Sequence, residues 1–290
     1  MKNIEISFIN NRKQTISEFM LEKGFSSSNI FHEINQKLVL VNSTPVRDKN
    51  VEIFEGDKIE ITLVPEINEL PLNNDKIEIL YEDEYLLLVN KPSNLLVEPY
   101  KNGTNNNLAS MVANYFFEQE IPSKIHLVNR LDKCTSGIVI IAKNQYIKNL
   151  MCKTKITKKY LALVEGKTDT SGTIKINIDK EAFSNYRIIG ESGKESITEY
   201  KTISYDEKRD VSLVEVEILT GRTHQIRLSF SSIGHPLVGD ETYESKRKED
   251  ICLKAYYTEF KHPLINKDIK IKTNYSTVTL LAKLRGLSTL

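Results

Sequence analysis

The 290-residue chain predicts an α+β protein with a mixed, largely antiparallel sheet, and three patterns carry that expectation. Residues 39–64, "VLVNSTPVRDKNVEIFEGDKIEITLV", alternate apolar and polar positions between turn signals at Asn42-Ser43, Asp48 and Gly56-Asp57, as short antiparallel strands do. Residues 108–120, "LASMVANYFFEQE", carry the 3.6-residue period of an amphipathic helix. Strand-like runs such as "VSLVEVEIL" (211–219) and "IKIKTNYSTVTLLAKL" (269–284) then mix with helices irregularly, where a parallel α/β fold would alternate them strictly.

Taken in order, residues 15–38 have apolar positions at helical spacing, broken by Gly24 and by a Ser cluster able to cap a second helix, so two short helices are expected. With the strands of 39–64 they form a compact unit, residues 1–64. The segment 65–76, beginning "PEINELPLNND", holds two prolines and no periodicity, and reads as a linker. A second domain is expected over 77–290. It opens with "KIEILYEDEYLLLVNKPSNLLVEP", which gives two strands, followed by the helix of 108–120.

Composition narrows the class. With 40% hydrophobic and 27% charged residues the chain is an ordinary globular protein. Cys134, Cys152 and Cys252 are odd in number, scattered and without a C-x-x-C pair, which points to a reduced, cytoplasmic compartment. The apolar runs "YLLLV" (85–89) and "GIVIIA" (137–142) are far below the roughly 20 residues that span a bilayer, so no membrane association is expected. Net charge is +1, yet residues 121–160 hold nine Lys or Arg against the single acid Asp132, while residues 66–100 hold eight acids against Lys76 and Lys91. Such a basic stretch is either a solvated lysine surface or a phosphate-binding one. The five histidines are scattered and no Cys/His pair has zinc spacing, so no metal is expected.

Three stretches hold candidate chemistry. In "HLVNRLDKCTSGIVIIAK" (126–143), Asp132 sits between β-prone residues, on a loop expected at the sheet edge beside Arg130, Lys133 and a Thr-Ser-Gly turn. A lone loop aspartate is more often a turn or capping residue than a catalyst. In "TGRTHQIRLSFSSIGHPLVGD" (220–240), Thr223 can cap a helix whose Ile226, Phe230 and Ile233 form the apolar stripe, with Gly234 at its end. Arg227 flanks that stripe and, if buried, needs a carboxylate partner, although an arginine at such a position is more often a surface residue. In "KTKITKKYLALVEGK" (153–167), Tyr160 stands between a lysine cluster and a strand start, where it is either core packing or an aromatic able to stack on an unpaired base. A serine hydrolase built on Ser136 lacks the G-x-S-x-G elbow.

These stretches together resemble the RluA-type pseudouridine synthases. Residues 129–137, "NRLDKCTSG", are similar to the R-L-D-x-x-T-S-G signature, "NKPSNLLVEP" (90–99) to the first motif, "KKYLALVEG" (158–166) to the tyrosine motif, residues 220–240 to the arginine motif, and "LKAYYTEFKHP" (253–263) to the late Leu-x-Ala/His-Pro motif. The five stand in family order across most of residues 80–265. The amino-terminal unit resembles the small αL RNA-binding module of ribosomal small-subunit protein four, although its helical part lacks the arginines common there. The catalytic part departs from the family pattern at Asn129, Cys134, Asn94, Glu98 and Lys254, none of which removes Asp132, Tyr160 or Arg227.

The resemblance implies the pseudouridine synthase fold over 77–290 and a cofactor-free isomerisation of uridine in ribosomal or transfer RNA, by a protein expected to be monomeric. Asp132 is then the essential carboxylate, acting as a nucleophile on the sugar or as a base at C2′. Arg227 is its ionic partner and Tyr160 the residue beneath the base. Arg130 braces the space left by a flipped uridine. Further substrate contacts fall to Lys91, Thr135, Arg222, His224 and Gln225, with Lys153, Lys155 and Lys158 on the phosphate backbone. The alternative is an RNA-binding protein of the same fold that has lost catalysis.

Overall fold

A computed structural model describes residues 4–99, 104–181 and 186–273. Among these, strands dominate and helices are few, giving an α+β protein with a largely antiparallel sheet. The amino-terminal unit contains β1 (Ile4–Ile9), β2 (Gln14–Thr15), α1 (Ile16–Glu22), α2 (Ser27–Asn35), β3 (Val39–Val41), β4 (Thr44–Pro45), β5 (Glu52–Ile53) and β6 (Lys58–Leu63). A capping box starts α1: the Thr15 hydroxyl accepts from the Glu18 N–H, and the Glu18 carboxylate accepts from the Thr15 N–H. Ser26 caps α2, its hydroxyl accepting from the Asn29 N–H, as the Ser cluster predicts. Asn42 and Ser43 both take positive φ and turn β3 into β4, so the sheet runs β1-β6-β3-β4. β1 was not anticipated from the sequence, although "IEISFI" carries the strand alternation.

Residues 65–76 have no helix or strand. They nonetheless lie against the following domain: the Glu66 N–H donates to the Pro122 carbonyl (3.0 Å), and the Asn73 N–H to that of Ser110 (3.2 Å). Beyond them come β7 (Glu78–Glu82), β8 (Leu86–Lys91), α3 (Leu108–Glu118), β9 (His126–Leu127), β10 (Ser136–Ala142), α4 (Gln145–Lys153), β11 (Ile156–Glu165), β12 (Ser171–Lys180), β13 (Arg187–Ile189), β14 (Lys194–Asp206), β15 (Val211–Ile218), α5 (Gln225–Ser232), β16 (Leu253–Lys261) and β17 (Asp268–Lys272). The sheet path is β13-β12-β14-β15-β11-β16-β10-β8-β7, with β9 on β10 and β17 on β16. Every described pairing in it is antiparallel except β10 with β16. The strand expected over residues 269–284 is present as β17, and its part from 274 onward lies outside the described residues.

The unbroken apolar runs "YLLLV" and "GIVIIA" follow from burial of both sheet faces. Leu86, Leu88, Ile138 and Ile140 point to one side, where they meet Tyr146, Ile147 and Met151 of α4 and Phe19, Met20 and Phe25 of the amino-terminal unit. Leu87, Val89, Val139 and Ile141 point to the other, against Leu108, Val112 and Phe116 of α3 and Phe230 of α5. The amino-terminal unit thus keeps its own sheet but shares a hydrophobic cluster with the large one. Phe25 stacks on Tyr146 with ring centres 4.2 Å apart, and the Tyr146 hydroxyl donates to the Lys23 carbonyl (3.0 Å). Gly24 sits at this contact with φ +101°, where an added Cβ would meet Leu150 at 2.5 Å.

One buried group in this region is electrostatically costly. Glu33 of α2 is 6% exposed, and one of its carboxylate oxygens is buried without a hydrogen-bond partner. Burial, and then the negative charge of Glu66, push it up to about 7 from an ordinary 4.5. The folded carboxyl therefore retains a proton that the unfolded chain releases, and the protein loses stability as pH rises from about 4.5 to about 7. Glu33→Gln is expected to raise the melting temperature by a few degrees above pH 7 and to flatten its dependence on pH through the acidic range. A melting profile with the same slope as wild type would show that another group titrates.

Candidate functional site

The loop that carries Asp132 begins where β9 leaves the sheet and ends where β10 enters it. β10 is an interior strand, so Asp132 lies at the end of a central strand and not at the sheet edge. Asn129 fixes the start of the loop by imitating a strand partner: its side-chain oxygen accepts from the Ile140 N–H (2.8 Å) and its amide donates to the Ile138 carbonyl (3.2 Å). The Thr135 N–H closes a turn onto the Asp132 carbonyl (3.1 Å). Gly137 follows with φ +116°, and a Cβ there would stand 2.1 Å from the Ala255 carbonyl oxygen. Only glycine lets β10 approach β16 so closely, which explains why the turn reads Thr-Ser-Gly.

Lys91 reinforces this loop from beneath. It is 0% exposed, and its ammonium donates to the carbonyls of Leu95 (2.7 Å), Pro92 (2.9 Å) and Lys133 (3.2 Å). Burial pushes it down to about 8, with the charges of Cys134 and Asp132 opposing the shift. The expected substrate contact from Lys91 is therefore corrected: its three donors tie loop 92–95 to loop 132–135. Ser93 adds a bond from its hydroxyl to the Cys134 carbonyl (2.6 Å). Asn94 takes φ +63° in the same loop, a conformation that glycine or asparagine accommodates best, so that departure from the family pattern leaves the loop geometry intact.

Arg227 enters from α5, whose apolar Ile226 and Phe230 anchor the helix as expected, while Ile233 is left 39% exposed just beyond its end. The cap differs from expectation: His224, and not Thr223, occupies the N-cap position, with φ +56° and no side-chain bond to the helix. Gln225 takes over that local work. Its oxygen accepts from the Thr220 hydroxyl and the Arg222 N–H, and its amide donates to the Ile197 carbonyl and the Thr198 hydroxyl, each at 3.0 Å. All its polar capacity is used, so Gln225 is a clamp between this loop and β14 and not a free substrate contact.

The Arg227 guanidinium is 8% exposed and donates through Nε (2.6 Å) and Nη2 (2.7 Å) to the wholly buried carboxylate of Asp240. Asp132 is a more distant partner, its Oδ2 lying 3.8 Å from Nη1. The sequence led to Asp132 as the pairing carboxylate, and the close partner is Asp240. Burial alone would weaken the Arg227 charge, but the hydrogen bonds and charge of Asp240 outweigh it and hold the guanidinium above its usual range. Tyr243 lies under the guanidinium, with its ring centre 5.0 Å from the guanidinium carbon, and its hydroxyl is 2.8 Å from Nδ1 of His224. Burial keeps His224 below the ordinary histidine range, which leaves the imidazole neutral at pH 7.

Tyr160 lies within β11, past the strand start where the sequence suggested it, and directly after a register shift between Lys159 and Tyr160. A bulge of this kind re-aims a side chain. Tyr160 is 6% exposed, and burial followed by the charge of Asp132 pushes its hydroxyl well above the ordinary tyrosine range, so it stays protonated.

Asp132, Tyr160, Arg227, Arg130, Arg222 and His224 border one cleft of about 970 Å³. Its lining carries six Lys or Arg residues against two carboxylates, Asp132 and Glu98, so the whole concavity attracts anions. A smaller pocket of about 60 Å³ at the same place adds Thr135 and Gln225 to its wall. Arg130 reaches across the mouth to Glu98 (3.0 Å), and both side chains are largely exposed. Of the three lysines expected on a phosphate backbone, Lys158 lines the cleft with Lys148, whereas Lys153 and Lys155 are exposed outside it. Asp240 and Tyr243 were not singled out from the sequence, whereas Lys148 belongs to the basic stretch expected on phosphate. The available signal was the need of a buried Arg227 for a carboxylate, and Asp240 closes the same motif.

The model of the RNA pseudouridylate synthase family matches residues 85–232. A protein of Aquifex aeolicus named as an uncharacterised RNA pseudouridine synthase is 36% identical over 82% of this chain and 82% of its own length. Ribosomal large subunit pseudouridine synthase D of Buchnera aphidicola is 31% identical over 88% of this chain and 87% of that one. Human RNA pseudouridylate synthase domain containing 1 superimposes with a TM-score of 0.58 at 24% identity, over 75% of this chain and 98% of that structure, which extends the likeness to the fold.

Proposed function

The chain belongs to the RNA pseudouridylate synthase family, and from that premise we propose that its basic cleft receives a flipped uridine whose sugar meets the carboxylate of Asp132. The chain is an RNA pseudouridine synthase, an isomerase: the N1–C1′ bond breaks, the uracil turns, C5 bonds to C1′, C5 loses its proton and N1 gains one. Atoms and electrons balance without a redox partner. The observation that carries the assignment of roles is the partly buried carboxylate of Asp132, facing a buried guanidinium at 3.8 Å inside a cleft of positive charge.

Each role follows from a physical property. Arg227 presents its positive charge to the carboxylate while standing too far away to occupy the oxygen with a hydrogen bond. That anion either attacks C1′ or takes the C2′ proton, and both routes need an uncovered oxygen. Tyr160 offers its ring to the uracil, and its protonated hydroxyl is a donor and not a base. The neutral imidazole of His224, anchored through Nδ1 to Tyr243, leaves Nε2 to contact the nucleotide. Arg130 exchanges Glu98 for a phosphate or for the gap left by the flipped base.

For the substrate we propose ribosomal RNA of the large subunit, on the strength of the Buchnera relative's name. We also propose that residues 1–64 form an αL-type RNA-binding module, residues 65–76 the linker, and residues 77–290 the part that carries the chemistry, in a protein that works as a monomer. The two short helices beside a four-stranded sheet support that reading, as does the absence of a described amino-terminal residue from the cleft.

Asp132→Asn keeps the volume and removes the anion. It is expected to abolish tritium release from RNA labelled at C5 of uridine, by at least about 10⁴-fold, with RNA affinity retained. Mapping pseudouridines in total RNA from cells carrying this variant identifies the substrate by the positions lost. Substantial turnover by the folded variant removes Asp132 from the reaction.

Charge reversal at Lys158 is expected to weaken RNA binding and reduce its log–log salt slope by about one, one released counterion per lost phosphate contact. Reversal at Lys153 and Lys155 reduces the slope further where the RNA continues past α4. A slope equal to wild type in the triple variant would return all three to a solvated surface.

Arg47 and Lys49 are exposed on the amino-terminal unit. Arg47→Glu with Lys49→Glu should raise the KM for RNA several-fold at constant kcat, because a tethered second contact raises effective concentration without adding catalytic groups. Steady-state kinetics with an unchanged KM would place RNA contact by this unit elsewhere or nowhere.

A further inference from the structure

We infer that His224 donates a hydrogen bond from Nε2–H to an uncharged oxygen of the flipped uridine, and that the Tyr243 hydroxyl is the positioning group that fixes this tautomer. The assignment rests on reading the cleft as the uridine site. His224 stands before α5 with φ +56°, a left-handed conformation that a residue with a side chain seldom takes. Its side chain makes no bond to the helix, so capping does not account for the conformation. The imidazole instead borders the cleft and its smaller pocket together with Asp132 and Tyr160, while Nδ1 lies 2.8 Å from the Tyr243 hydroxyl.

A count of protons decides which ring nitrogen carries the hydrogen. A tyrosine hydroxyl has one hydrogen to donate and two lone pairs that accept. The N–H of Arg187, at the start of β13, donates to the Tyr243 oxygen (3.1 Å), which takes one lone pair. Tyr243 is 6% exposed, and among the described residues its hydroxyl bonds only Arg187 and His224. If Nδ1 held the hydrogen, both neighbours would donate to that oxygen, and the hydroxyl hydrogen would be buried without an acceptor. The hydroxyl therefore donates to Nδ1, and the neutral ring carries its hydrogen on Nε2. Among the described residues no group bonds Nε2. Burial, with the charges of Arg227 and Arg187, keeps a second proton off the ring against the pull of Asp132. The arginines and lysines of the same lining suit phosphate better than a ring held neutral. A donor without charge, in the small pocket shared with Asp132 and Tyr160, suits a ribose hydroxyl or a uracil carbonyl.

The test uses the full chain and a short synthetic RNA carrying one mapped uridine, labelled with tritium at C5, with kcat/KM as the readout. His224→Leu removes both ring nitrogens and is expected to lower kcat/KM about tenfold, the scale of one lost hydrogen bond. His224→Gln sets an amide nitrogen near the place of Nε2 and is expected to stay within about threefold of wild type. Tyr243→Phe keeps the ring beneath Arg227 and removes only the hydroxyl. Its kcat/KM should fall about three- to tenfold alone, and no further in either His224 variant. A merely structural hydroxyl predicts the same loss in all three backgrounds. Nitrogen NMR of the imidazole adds a readout that packing alone does not move: the wild-type ring at pH 7 shows Nε2 protonated and Nδ1 bare, and Tyr243→Phe shows a mixture. The salt slope of RNA binding should not change in His224→Leu, because a neutral donor releases no counterion. With 2′-deoxyuridine at the target position, a His224→Leu penalty that vanishes assigns the ribose hydroxyl, and one that persists assigns a uracil carbonyl. Should Tyr243→Phe not fold, the wild-type ring spectrum and the contrast of His224→Gln with His224→Leu decide. A hydrogen on Nδ1, a salt slope lower by about one in His224→Leu, wild-type kcat/KM in that variant, or losses that multiply overturns the inference. Asp132→Asn run alongside keeps the two failures apart. An active Asp132→Asn sinks the reading of the cleft, whereas an inactive one beside a fully active His224→Leu sinks only the role of His224.

Discussion

The close approach of β10 to β16 is the constraint on which the molecule's arrangement depends. They are the one parallel pair described in an otherwise antiparallel sheet, and they meet only at Ser136–Gly137 against Lys254–Ala255. A side chain at position 137 would collide with the β16 backbone. Because the two strands are adjacent and interior, this contact joins the β13-to-β11 side of the sheet, which supplies Tyr160, to the β8 side, which supplies the floor under loop 132–135. Asp132 is held at the seam. Its position relative to Tyr160 is therefore set by backbone packing at the centre of the sheet, where displacement is costly.

Around that seam, polar groups divide into two kinds by what they bond. Lys91, Asn129 and Gln225 are directed mainly at backbone carbonyls and amides where loops meet strands, Lys91 with three donated bonds and Gln225 with its whole polar capacity. Arg130, Lys158, Arg222 and His224 line the cleft and are available to a ligand. The first kind makes the second possible, because a loop with unsatisfied buried backbone groups would not keep one conformation. Arg227 belongs to both kinds: two of its donors are bound within the protein, and the remaining nitrogen faces Asp132.

The amino-terminal unit is attached by more than its linker. Phe19, Met20 and Phe25 lie in the same hydrophobic cluster as Leu88, Ile140 and Tyr146, and burial of each such side chain stabilises by about 1.5–3 kcal/mol. β10 thus presents Ile138 and Ile140 to that unit, and Val139 and Ile141 to the side where Tyr160 and Phe230 pack. The linker crosses the same boundary, with the Glu66 carboxylate on His126, the residue that begins β9 and leads into the Asp132 loop. RNA held by the small unit would accordingly be presented to a cleft whose position relative to it is fixed by packing.

What the sequence by itself determined is what depends on local order. Alternation and helical periodicity located most of the strands and helices, the Ser cluster located the start of α2, and the run from Asn129 to Gly137 marked a charged loop between buried strands. The five motifs in order identified the family, and with it Asp132, Tyr160 and Arg227. Which of the neighbouring polar residues serve the loops and which serve a ligand was decided only in the tertiary structure. Lys91 and Lys158 are alike as letters, yet one is sealed beneath two loops and the other lines the cleft. Arg227 announced that it needed a carboxylate without saying which one. Asp240 answers because the turn after α5 brings its oxygens into the plane of the guanidinium, and a forked pair is selected by distance and angle in space, which residue order along the chain does not contain.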